Sequence, residues 1–250
     1  MSSLRRALVG VGRLARLGLH MLCGLWTIYT RFGRFSHAER NRAVEQWAAQ
    51  LLRCCGVELK LLGVPPQAGP ALLVANHLSW LDIPLMHACK HVRFVSKSDV
   101  KQWPVVGTLA SAGGTLYIER SSRRDAMRTV ERMAQALREG DLVAIFPEGT
   151  TGDGRRLLPF HANLLQAAID AEAPILPVGL CFYDRATGAP SYAPSYVGDE
   201  TLLGSIWRTV TAPPLVAQVH YGELEHANGR DRRAWGHHLH RRVDRLWQSR

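Results

Sequence analysis

The chain has no G-x-S-x-G turn and no reactive-cysteine signature, so it carries no recognisable nucleophile of its own for covalent catalysis. It also lacks a Walker-type G-x-x-x-x-G-K-[ST] loop and a G-x-G-x-x-G following a strand, which removes the usual phosphate cradles of nucleotide enzymes. Cysteine is sparse and awkwardly placed: five residues, an odd number, with Cys54 and Cys55 adjacent and no C-x-x-C spacing. That pattern is awkward for a simple disulfide framework and fits a reducing compartment better. No low-complexity tract or internal repeat is present, and 46% apolar residues is too many for a disordered chain. Long apolar runs are missing as well. The stretch LGLHMLCGLWTIYT (17–30) is fourteen residues long, short of the roughly 20 that a spanning helix needs, and no small-x-small cleavage site follows it.

Acidic residues are scarce at both ends. Residues 1–42 hold eight Arg and one Glu, and residues 226–250 hold seven Arg and two Asp, whereas the rest of the chain is close to neutral within a total of +10. Basic ends on a near-neutral body point to a polyanionic surface, either nucleic acid or anionic lipid. No helix-turn-helix, zinc or aromatic-stacking signature accompanies the charge. The segment 17–30, flanked by Arg13, Arg16 and Arg31, reads as an interfacial anchor with Trp26 and Tyr29 at headgroup depth, or else as a helix of the core. Residues 36–55 have helical spacing and end at Gly56, so two helices are expected to form a hairpin over 1–55.

From Val57 on, strand-like and helix-like runs alternate. Strands are expected at 57–63, 71–75, 92–96, 115–120, 142–146, 175–182 and 216–221; helices at 83–90, 123–139, 161–171 and a basic one at 231–248. Residues 184–214 are rich in Pro, Ser, Gly and Tyr and take no assignment. The expected fold is α/β, a mixed and largely parallel sheet flanked by helices over 56–250, with a two-helix membrane-associating hairpin ahead of it.

In such sheets the site lies at the carboxyl ends of the strands. Two polar blocks fall there: NHLSWLD (76–82) after ALLVA, and PEGTT (147–151) after LVAIF. His77 with Asp82 suits a general base, because imidazole titrates near neutrality and a carboxylate fixes its tautomer. Five residues apart on a regular helix the two side chains would diverge by about 140°. They converge only if the segment is a turn entering a helix; the same pair in another setting is a satisfied polar contact. With no nucleophile in the chain, such a base would activate a hydroxyl of the substrate, or water. The histidines of GHHLH (236–240) are sequence neighbours without a carboxylate at zinc-peptidase spacing, so they read as part of a basic helix face and no metal is expected.

HLSWLD resembles the H-x4-D motif of the glycerolipid acyltransferase family, which includes bacterial 1-acylglycerol-3-phosphate acyltransferase. GTLYIER (114–120), FPEGT (146–150) and ILPV (175–178) resemble the family's next three blocks in order, and FVSK (94–97) its lysine-bearing segment. The resemblance covers roughly residues 55–185. It implies transfer of an acyl group from an acyl carrier protein or coenzyme A thioester to a lysolipid hydroxyl, with no cofactor and no acyl-enzyme. His77 would be the base and Asp82 its partner. Glu148, Gly149 and Thr150 would shape the acceptor pocket, with N–H groups around Gly149 open to developing negative charge. Lys97 and Arg120 would bind the anionic head group, although singly they fit a surface lysine and an ion-paired arginine. Family members that form phosphatidic acid commonly follow FPEGT with Arg; here Thr151 stands there, and Arg155 and Arg156 are the nearest arginines. Either one of these substitutes, or the acceptor is another lysolipid such as lyso-ornithine lipid. The resemblance favours a bilayer-dissolved substrate and an anionic membrane surface over nucleic acid as partner. It places the site on the cytoplasmic face of a bacterial inner membrane, with the chain monotopic or peripheral.

Overall fold

The computed structural model describes residues 3–119 and 122–249. Arg120 lies outside the described residues. Seven strands form one sheet: β1 (Val57–Leu62), β2 (Ala71–Ala75), β3 (Arg93–Lys97), β4 (Leu116–Ile118), β5 (Leu142–Ile145), β6 (Ile175–Asp184) and β7 (Leu215–Tyr221). Their spatial order is β1-β7-β6-β2-β5-β3-β4. Every neighbouring pair is parallel except β6 with β7. The central strands β2 and β5 are buried at every position, which is why ALLVA and LVAI read as continuous apolar runs rather than as alternation.

The α-helices of the described residues are α1 (Ser3–Thr30), α2 (His37–Cys55), α3 (Asp82–Cys89), α4 (Val106–Ala112), α5 (Arg123–Arg138), α6 (Gln166–Asp170), α7 (Leu202–Thr211) and α8 (Arg232–Gln248). Along β2 the side chains alternate between two cores. Leu73 and Ala75 meet Leu51, Leu52, Leu85 and Met86 from α2 and α3. Leu72 and Val74 meet Met133, Leu137, Trp235 and Leu239 from α5 and α8 on the other face. α2 starts in a capping box between Ser36 and Glu39 and stops at Gly56, whose φ of 75° only glycine adopts cheaply.

Three sequence expectations change. The fourteen-residue apolar segment is the second half of α1, a 28-residue helix long and apolar enough to cross a membrane by length and composition. Arg5, Arg6, Arg13 and Arg16 interrupt the apolar run but not the helix. Arg13 turns inward, donating to the carbonyls of Val210 (3.0 Å) and Ala212 (2.9 Å) at the end of α7. Gly10 abuts Thr211 and Gly24 abuts Trp47, so α1 lies along the domain over much of its length. Second, 161–171 splits into a 3-10 turn and the short α6. Third, the unassigned 184–214 contains α7, which starts with the Thr201 hydroxyl accepting from Gly204 N–H.

The GHHLH histidines separate in space. His238 Nε2 bonds Glu225 Oε2 at 2.9 Å, His240 lies edge-on to Phe160, and His237 is exposed. Glu225 also accepts from the Trp235 indole N–H at 2.7 Å, which locks α8 to the chain after β7. Trp235 is fully buried. Glu225→Ala strips that donor of its partner and is expected to lower stability by about 1–3 kcal/mol, read as a lower urea midpoint at unchanged m-value. An unmoved midpoint would show that the indole finds another acceptor. None of the five cysteines is in a disulfide.

Candidate active site

β2 ends at Ala75, whereas its neighbour β6 runs on to Asp184. Asn76 fills the step. Its side-chain amide donates to Leu180 O (2.9 Å) and accepts from Leu180 N (2.7 Å), satisfying both backbone groups that a continuing β2 would have paired. The chain then turns through Leu78–Leu81, and Asp82 is the first residue of α3, where a negative charge suits the helix dipole. That turn brings the pair together: His77 Nδ1 lies 2.8 Å from Asp82 Oδ2. The same oxygen accepts the backbone N–H groups of Leu78 (2.6 Å) and Ser79 (2.8 Å), while Oδ1 is buried without a partner among the described residues. Asp82 is 0% exposed and His77 18%. With Nδ1 held by a carboxylate, Nε2 is the ring nitrogen left to face a substrate, and it has no hydrogen-bond partner among the described residues.

The imidazole plane is fixed from behind. Phe146, the residue after β5, stacks on it at 4.0 Å between centroids and 6° between planes. Phe94 of β3 stacks behind Phe146 at 5.6 Å, and His87 of α3 meets Phe94 edge-on at 5.1 Å.

Glu148 is buried and both oxygens are engaged by backbone: Oε1 accepts from His77 N (2.7 Å) and Oε2 from Leu158 N (2.9 Å). Burial pushes its carboxyl above the ordinary range, against the pull of those two N–H groups. Gly152 N donates in return to His77 O (2.8 Å), so the two blocks are laced together. Gly149, at φ 73°, closes a turn by donating its own N–H to Phe146 O (3.0 Å). The N–H groups of Thr150 and Thr151 that follow make no hydrogen bond among the described residues.

Thr151 gives its hydroxyl to the carbonyl of Tyr196 rather than to the open site. Lys97 ends β3 and is exposed, on the same carboxyl edge of the sheet as His77 and Glu148. Arg155 is exposed with its guanidinium 5.5 Å over the Tyr192 ring. The sequence reading missed Asn76, Phe146 as a platform, and Tyr192 and Tyr196. Asn76 and Phe146 are the first residues of the quoted NHLSWLD and FPEGT blocks; the two tyrosines come from the stretch that took no assignment. No group of three or more His, Cys, Asp or Glu that could hold a metal ion occurs among the described residues.

Comparison with known proteins gives the family and the fold. Residues 57–181 match the family model described as Acyltransferase. The lyso-ornithine lipid O-acyltransferase of Pseudomonas aeruginosa is 38% identical over 68% of this chain and 64% of its own length. The 1-acyl-sn-glycerol-3-phosphate acyltransferase of Neisseria meningitidis is 40% identical over 73% of this chain and 71% of its own. The crystal structure of the 1-acyl-sn-glycerophosphate acyltransferase of Thermotoga maritima has the same fold, with a TM-score of 0.74 over 98% of this chain and 97% of that one at 18% identity. The His77–Asp82 turn, at the carboxyl edge of a sheet shared with that structure, lies inside the matched segment, and the chain belongs to the acyltransferase family.

Proposed function

We propose that this protein transfers a fatty acyl group from a thioester of acyl carrier protein or coenzyme A to the free hydroxyl of a lysolipid, with 1-acylglycerol 3-phosphate as acceptor and phosphatidic acid as product. The observation that carries the reading is the His77–Asp82 pair, with Nδ1 engaged at 2.8 Å and Nε2 unengaged. Nε2 takes the proton of the acceptor hydroxyl as its oxygen attacks the thioester carbonyl, and Asp82 balances the imidazolium that forms. The tetrahedral adduct collapses by expelling the thiolate, which recovers the proton from His77. The N–H groups of Thr150 and Thr151, unpaired among the described residues in the block laced to His77, are the backbone donors offered to the adduct's oxyanion. Lys97 and Arg155, with Arg120, supply positive charge for the acceptor's anionic group.

The acceptor is dissolved in a bilayer, and α1 suits that. Leu4, Leu8, Val11, Leu19, Leu22, Trp26 and Tyr29 are exposed at helical spacing on one side of it. Since the opposite side packs on the domain, an orientation in the membrane surface fits better than a crossing. The cytoplasmic face of a bacterial inner membrane, where thioester donors are made and thiols stay reduced, is the matching location.

Lyso-ornithine lipid is the second reading, favoured by Thr151 standing where an arginine was expected. A labelled acyl thioester offered with 1-acylglycerol 3-phosphate and with lyso-ornithine lipid in parallel decides between them. Label on the glycerophosphate supports the proposal, and label only on the other lipid replaces the acceptor. Label appearing solely as free fatty acid would mean that the pair activates water and would overturn transfer altogether.

A further inference from the structure

We infer that the loop between β6 and α7 forms one wall of the acceptor site, with Tyr192 holding Arg155 toward the acceptor's anionic group. This rests on the reading of His77 as base toward a lysolipid. A cleft of about 250 Å³ opens between Leu78, Arg155, Cys181, Tyr183, Tyr192 and Trp247. Leu78 is common to the cleft and the catalytic turn, since its N–H donates to Asp82 Oδ2 at 2.6 Å.

The loop is fastened to both catalytic blocks. The peptide of Tyr196 donates its N–H to Leu78 O (3.2 Å) and takes the Thr151 hydroxyl on its carbonyl. From the far side α7 holds the same segment, through Arg208 Nε to Ala193 O (2.9 Å) and the Ser205 hydroxyl to Ser195 O (3.2 Å). The Tyr192 ring lies so close to Gly154 that a Cβ there would meet Tyr192 Cδ1 at 3.1 Å, and Gly154 has φ 76° besides. The ring therefore presses on the backbone of the FPEGTTGDG loop, next to the guanidinium it faces.

Charge names the ligand class. Arg155 is the one charged residue of the cleft lining, among serine, tyrosine and glutamine groups, and it has no ion-pair partner among the described residues. One fixed guanidinium among neutral hydrogen-bonding groups suits a head group with a single anionic group, whether the phosphate of a lysophospholipid or the carboxylate of an amino-acid lipid. Thr151 then acts by tethering the wall and not by touching the head group.

The test uses the full chain in mixed micelles, with Tyr192→Ala, Tyr192→Phe and Arg155→Gln assayed against both lysolipids at saturating thioester. Tyr192→Ala and Arg155→Gln are each expected to raise the KM of the preferred acceptor about tenfold, with kcat falling far less and the thioester KM unmoved. Their double variant should lose little more than either one, because both disrupt the same contact. Tyr192→Phe keeps the ring and should recover most of the loss. Acceptor KM unmoved by Arg155→Gln, an exposed position whose replacement spares the fold, would overturn the inference while leaving His77 chemistry standing. A rise confined to the thioester KM would overturn it too. Wild-type protein that transfers no label to either lipid would overturn the reading beneath it.

Discussion

His77→Ala is expected to lower kcat for acyl transfer by about 10²–10⁴-fold, the usual contribution of a positioned general base. The acceptor KM should change little, because the imidazole engages the hydroxyl's proton chiefly as the bond forms. Asp82→Asn should fall between His77→Ala and wild type, for a geometric reason. His77, Leu78 and Ser79 all donate to the single oxygen Oδ2. An asparagine oxygen in that place keeps the three bonds and the tautomer, and removes only the charge that balances the imidazolium. Its NH₂ would occupy the buried place of Oδ1, where no acceptor waits among the described residues, so some stability is lost as well. Single-turnover rates with saturating thioester measure both variants. Transfer undiminished in His77→Ala would reduce the pair to a well-bonded turn and remove the mechanism.

A second large effect concerns pH and lies behind the site. His87 is buried with Nδ1 unpartnered among the described residues, and burial, aided by the neighbouring His91, pushes its pKa down to about 3. The unfolded chain therefore binds a proton near pH 6.5 that the folded chain refuses until about pH 3. The contribution to stability is whole above pH 6.5 and drains away as pH falls, at about 1.4 kcal/mol per pH unit. Carboxylates add slopes of their own, so the telling quantity is the difference from His87→Phe, which keeps a ring against Phe94. Unfolding free energies from urea titrations between pH 7 and 4 should fall less steeply in the variant by about that amount per unit. Parallel slopes in the two proteins would show that His87 does not titrate on unfolding in this range. Phe94 lies between His87 and the platform under His77, so acid loosening at His87 is expected to reach the base early.

Much of the scaffold was legible because its signals are local. ALLVA and LVAI are apolar throughout, as strands covered on both faces must be, and α2 announces itself by its helical spacing over 36–55 and by Gly56. The His77–Asp82 spacing demanded a turn into a helix, and the chain makes one. What stayed hidden depends on partners remote in sequence. Asn76 and Leu180 are 104 residues apart, and the Thr151–Tyr196 tether joins a motif to a stretch whose composition carries no period. Glu148 drew attention as a polar residue beside a strand, yet only the fold reveals that both its oxygens are occupied by peptide N–H groups. α1 was read short because its arginines break an apolar count; the inward turn of Arg13 toward α7 was beyond any such count.

The Asn76 amide has a mechanical meaning too. By taking both backbone groups of Leu180, it makes the start of the catalytic turn behave as one more rung of the sheet, although the strand itself has ended. The proposed base, His77, thus sits one residue from that rung of the central sheet. The tethered wall across the cleft hangs from loop and helix. On the proposed reading, adjustment to acceptors of different size falls to that wall, and the His77–Asp82 geometry stays put while it gives.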